Sequence, residues 1–102
     1  GYWQGIQIES NSAKNVLTHT TIAHAGAKRW NGGAESDAAL FLADNASMSL
    51  SSVTLGPGGG YGIHLAGPAS AVSCSAVTFS SLVKGAVWKN TPAPGGLLAG
   101  CP

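Results

Sequence analysis

A short apolar motif recurs in this chain at a nearly fixed interval, and that interval restricts the fold more than any other feature. Ala39–Leu40–Phe41–Leu42, Gly62–Ile63–His64–Leu65 and Gly85–Ala86–Val87–Trp88 each open on a small residue and continue into a mostly apolar run. Their first residues are 23 apart in both steps, and Gly5–Ile6–Gln7–Ile8 is an earlier copy. Self-similarity at a period of roughly 20–50 residues marks a solenoid, in which each repeat buries its apolar side only against its neighbours.

A second pattern runs at nearly the same interval. Leu17-x-His19-x-x-Ile22-x-His24 aligns with Met48-x-Leu50-x-x-Val53-x-Leu55 and with Val72-x-Cys74-x-x-Val77-x-Phe79. Residues two apart lie on one face of a strand, so each pair reads as a short strand with one side buried. The extra residue between the pairs lets the chain turn a corner. Each coil is therefore expected to contain three short strands, stacked on the next coil at about 4.8 Å. The fold class is all-β, a short parallel β-helix of about four coils.

The run Trp3-x-Gly5-Ile6-x-Ile8, followed by Leu17–Thr18–His19–Thr20–Thr21–Ile22–Ala23–His24–Ala25–Gly26, resembles the right-handed parallel β-helix repeat proteins. These are mostly secreted or surface proteins related in fold to pectate lyases. The resemblance extends to about Trp88. It implies a right-handed solenoid and an extracellular or cell-surface location, and no single function, since the fold hosts enzymes, adhesins and structural proteins alike.

The repeats divide one domain, residues 1–102, into a first coil at about 1–26, an inserted loop at 27–37, a second coil at about 38–60 and a third at about 61–84. A partial coil and an irregular Pro/Gly-rich tail at 85–102 complete it. The insertion shows as a break in the period, since Gly5 and Ala39 are 34 residues apart. Gly56–Pro57–Gly58–Gly59–Gly60 reads as a turn between coils. It lacks the Lys-Ser/Thr ending of a phosphate-binding loop. Asn45–Ala46–Ser47 fits a glycosylation acceptor in a eukaryotic secretory route.

Nine of the 102 residues are charged and the net charge is +1. That balance offers no electrostatic case for nucleic acid, and no apolar run is long enough to span a membrane. A surface so poor in charge repels its neighbours weakly and favours association. The chain opens Gly1–Tyr2–Trp3 without an initiator Met, so a processed product or a piece of a longer protein is expected. Cys74 and Cys101 permit one disulfide if the compartment is oxidising. Alternatively, Cys74 serves as a small apolar residue at an inward position.

Little in the chain points to catalysis. Enzymes of the resembling fold use clustered Asp residues for calcium with an Arg or Lys base, or paired carboxylates for glycoside hydrolysis. The acidic residues here are Glu9, Glu35, Asp37 and Asp44, and nothing in their spacing places them on stacked strands. His19 and His24 align with inward positions of later coils, and His64 is expected to face outward, alone. At most His19 and Cys74 share a row, two coils or about 10 Å apart, too far for one metal ion. No catalytic residue, metal or cofactor is assigned.

Two binding features remain. The inserted loop gathers Lys28, Arg29, Trp30, Glu35 and Asp37, and solenoid insertions often form a binding face. Trp30, Tyr61 and Tyr2 could stack on sugar rings. The plainer reading folds Trp30 back over the solenoid and leaves the charges to solvate the loop. The second feature is the pair of coil ends, with Trp3, Ile6 and Ile8 at one and Val87 and Trp88 at the other. Terminal coils need caps, and the sequence offers no amphipathic helix at either end. Stacking one copy's last coil on another's first would satisfy both ends head to tail and build a filament. Neighbouring coils of a longer solenoid would do the same. The function expected is therefore that of a non-enzymatic extracellular structural protein that self-associates end to end. The competing expectation is a carbohydrate-binding module or a fragment of a larger polysaccharide-active protein.

Overall fold

The computed structural model describes residues 4–10, 12, 14–28, 30, 37–43, 46–66, 71–89 and 97–99, with the main chain alone for Lys89 and for 97–99. Among these residues there are eleven β-strands and no helix. The strands are β1 (Ile6–Ile8), β2 (Val16–Thr18), β3 (Thr21–Ile22), β4 (Ala38–Leu42), β5 (Ser47–Ser51), β6 (Thr54–Leu55), β7 (Tyr61–Leu65), β8 (Ala71–Ser75), β9 (Thr78–Phe79), β10 (Gly85–Lys89) and β11 (Leu97–Ala99).

Every strand pairing is parallel. The sheets run β1-β4-β7-β10, β2-β5-β8-β11 and β3-β6-β9, so neighbours in a sheet are three strands apart in the chain. The backbone thus visits the three sheets in turn before it returns to the first. Stacked parallel strands of this kind fit a solenoid.

The register lines like residues up in rows. In the first sheet Ile6, Leu40, Ile63 and Val87 form one row, and Ile8, Leu42 and Leu65 form another. Leu17, Leu50 and Cys74 continue the interior in the second sheet, with Met48 against Val72. Ile22, Leu55 and Phe79 close the third side. These rows make one apolar core. Burying each Leu or Ile side chain contributes about 1.5–3 kcal/mol. The central coils are fully enclosed, whereas Ile6, Ile8 and Leu17 at one end and Cys74, Phe79 and Val87 toward the other are only partly buried.

The corners between the second and third sheets share one backbone device. His19, Ser52 and Ala76 all lie in the left-handed region, at φ 49°, 53° and 55°. One left-handed residue redirects the chain while the flanking strands stay in register. Elsewhere the bend needs glycine. Gly56 has φ 121°, and a Cβ on it would strike the Ser80 carbonyl of the next coil. At Gly60 a Cβ would strike the carbonyl oxygens of Asp37 and Gly26.

Several details differ from the sequence expectation. Leu40 lies on Ile63 and Leu42 on Leu65 as the repeat predicts, but the last copy is shifted by one residue. Val87, not Ala86, is opposite Ile63, and Trp88 is opposite His64. The run Ala86–Val87–Trp88 is apolar in both parities, so the motif alone does not say which residues point inward; the ladder does. The first coil is shifted by two, with Leu17 opposite Leu50 and Ile22 opposite Leu55. His19 and His24 consequently leave the interior. Both are exposed, with positive φ, and His19 takes a corner that its imidazole tolerates better than most side chains do. The tail is not wholly irregular either. β11 adds a fourth strand to the second sheet, with Leu98 opposite Val72.

Candidate functional site: outer face and sheet edges

Residues that alternate with the core rows point outward, and in the first sheet they carry rings. Gln7, Phe41, His64 and Trp88 form one outer row. Trp30, from the inserted loop, lies over it. Its ring stacks on Phe41 at 5.9 Å, and its indole N–H donates to the Ala38 carbonyl at 2.9 Å. Phe41 in turn stacks on His64 at 4.9 Å. His64 faces outward as expected, but it is buried under this stack rather than alone. Tyr61 and Trp88 make a second ring pair at 5.7 Å, and Trp88 keeps 37% of its surface exposed.

Beside the rings sits one ion pair. Ala38, Tyr61 and Gly85 occupy equivalent places on successive strands, so the residues before them, Asp37, Gly60 and Lys84, form a column. Gly60 has no side chain, which leaves a path for Lys84 to cross it. Lys84 Nζ reaches Asp37 Oδ1 at 3.1 Å and lies 6.0 Å from the Tyr61 ring centroid. Main-chain bonds hold the same column, from Tyr61 N to Asp37 O and from Lys84 N to Gly60 O. Asp37 is buried and engaged in this tie between coils.

The loop residues therefore do not gather into one site among the described residues. Trp30 and Asp37 pack against the first sheet and Lys28 is exposed; Arg29 and Glu35 lie outside the described residues. Sequence reasoning named Tyr61 with Trp30 as a stacking ring, but it did not bring Lys84 or Trp88 to the loop. An alignment of coils in the correct register would have shown opposite charges in one column with a glycine between them.

Nor does a histidine share a row with Cys74. Leu17 occupies that row, and His19 sits at the corner. No group of three or more His, Cys, Asp or Glu capable of holding a metal ion occurs among the described residues. Cys74 is disulfide-bonded. Cys101, Trp3, Tyr2, Asp44 and Asn45 lie outside the described residues. No described helix is long and apolar enough to cross a membrane.

The other two outer faces are hydroxyl-rich. Thr18, Ser51 and Ser75 align on the second sheet, as do Ser49 and Ser73, where the Ser73 hydroxyl donates to the Ser49 hydroxyl at 3.0 Å. Thr21, Thr54 and Thr78 align on the third. At the sheet ends, β1, β2 and β3 form one set of edges and β10, β11 and β9 the other. An edge strand presents main-chain N–H and C=O groups to whatever lies beyond it. On the β1 edge the Gln7 amide donates to Glu9 Oε2 at 2.7 Å, holding that exposed carboxylate in place.

Comparison with protein-family models, curated proteins and solved structures returns no significant match.

Proposed function

We propose that this chain is a right-handed parallel β-helix of about four coils, of the pectate-lyase-like kind, which serves as an extracellular structural subunit and associates end to end. The observation that carries this reading is that each of the three sheets ends on a parallel edge strand in both directions, with no helix among the described residues. The half-buried Ile6, Ile8 and Leu17 at one end and Val87 at the other support it, because a further coil would complete their burial. The low charge reduces repulsion between copies. The disulfide at Cys74 supports an oxidising location. The partner is a second copy or further coils of a longer solenoid.

Sedimentation velocity and electron microscopy of the purified protein over a range of concentrations test the proposal. Growing stacks or fibres are expected, and a monomer at every concentration rejects self-association.

One observation favours a second reading, carbohydrate binding. Trp88 and Tyr61 present two rings on the outer face of the first sheet, and such rings stack on the apolar faces of sugars. On this reading Trp88→Ala abolishes retention on a polysaccharide gel while Trp30→Ala, whose ring packs on Phe41, leaves it. Equal retention of both variants rejects it.

A further inference from the structure

The second sheet ends on a strand that is short, paired along one side only, and tied at its far end by a covalent bond. We infer that the disulfide of Cys74 is a redox latch. It fixes β11 as the last strand of the second sheet, and a dithiol reductant releases that strand and bares the β8 edge. The inference goes beyond end-to-end association and applies to a single copy of the chain.

Both outer strands of this sheet have three residues, against five in β5 and β8. An edge strand of that length contributes few ladder bonds and opens at low cost. At the first end a side chain helps. The Asn15 amide donates to the Ser10 carbonyl at 2.8 Å and to the Ser47 carbonyl at 3.0 Å, which ties the start of β2 to the next coil. At the other end β11 sets Leu97 opposite Ala71, Leu98 opposite Val72 and Ala99 opposite Ser73. Cys74 is the next residue of β8. It is half-buried in the row Leu17–Leu50–Cys74 and is disulfide-bonded. The chain has one other cysteine, Cys101, so within one chain the bond joins these two. Cys101 lies outside the described residues, but it follows Ala99 by two positions, and two residues span at most about 7 Å. The bond is therefore anchored at the end of β11.

The bond closes a loop between positions 74 and 101 and so restricts where β11 goes once it leaves β8. Reduction removes that restriction by a two-electron exchange. A thiolate of the dithiol attacks one sulfur and forms a mixed disulfide. The second thiol of the reagent then displaces the remaining cysteine sulfur, and the reagent leaves as a cyclic disulfide. The two electrons and two protons it gave up end on Cys74 and Cys101 as thiols. Release of β11 opens the side of β8 that faced it. The first and third sheets keep their pairings, since neither contains β11.

Amide hydrogen exchange, read by mass spectrometry on the full chain before and after dithiol treatment, tests the latch. Exchange in β11 is expected to quicken about a hundredfold on reduction, while β4 and β7 in the first sheet exchange as before. Cys101→Ser should match the reduced parent and should not respond to the dithiol. Unchanged protection of β11 after reduction overturns the latch. So does an equal loss of protection in β4, β7 and β11, because the bond would then support the whole fold and not one strand. A disulfide-linked dimer in the non-reduced intact mass overturns the pairing within one chain. All of these readings are made on dilute protein, so they leave end-to-end association to its own test.

Discussion

Replacing Ala76 with glycine should stabilise this protein, although glycine usually weakens a chain. Ala76 is exposed, at φ 55°, on the corner between β8 and β9, so the change removes no buried contact. The left-handed conformation costs an L-residue about 1–2 kcal/mol. Glycine takes it without that strain but adds about 0.4–1 kcal/mol of unfolded-chain entropy to be lost on folding. The strain term wins by about 0.5–1 kcal/mol. In a domain of this size that is a rise in melting temperature of about 2–8 °C. Thermal and urea unfolding followed by circular dichroism, with the disulfide intact, would measure it. Ser75→Gly is the control. Ser75 is exposed on the adjacent strand without positive φ, so its replacement should cost about 0.5–1 kcal/mol. If both variants lose stability alike, the corner is not strained as described, and the shared role of His19, Ser52 and Ala76 falls with it.

Three further outcomes follow from the stack. Leu40→Ala, in the middle of its inward row and fully buried, should cost about 3–4 kcal/mol, whereas Ile6→Ala at the half-open end should cost about 1–2 kcal/mol; equal losses in urea titrations would contradict a layered core. Gly60→Ala should cost about 2–4 kcal/mol by thermal unfolding, because the new methyl meets two carbonyl oxygens and blocks the path of Lys84. Lys84→Met leaves the buried Asp37 carboxylate without its cation and should cost about 1–2 kcal/mol, moderated by the one-third exposure of Lys84. A double-mutant cycle with Asp37→Asn should return a coupling of about 1 kcal/mol; a coupling of zero would mean that the pair does not act across the coils.

The site was less legible than the fold. Trp30 is conspicuous in the sequence as a loop aromatic, yet its ring and indole N–H are engaged by Phe41 and Ala38. Trp88 is legible as an end residue, but its pairing with Tyr61 depends on the one-residue shift of β10. The Asp37–Lys84 tie was hidden because its members are 47 residues apart and meet only across Gly60.

What the amino-acid order determined by itself is the repeat. Apolar residues two apart, recurring every 23 or 24 positions, can be buried only if successive coils stack, and that requirement is local enough to read from the chain. Parity was decided by the tertiary structure. Where several neighbours are apolar, as at Ala86–Val87–Trp88, or where a polar residue occupies a corner, as at His19, the inward side is chosen by the hydrogen-bonded ladder to the next coil. A strand that slips by one residue exchanges its two faces, and only its partner strand can resist the slip.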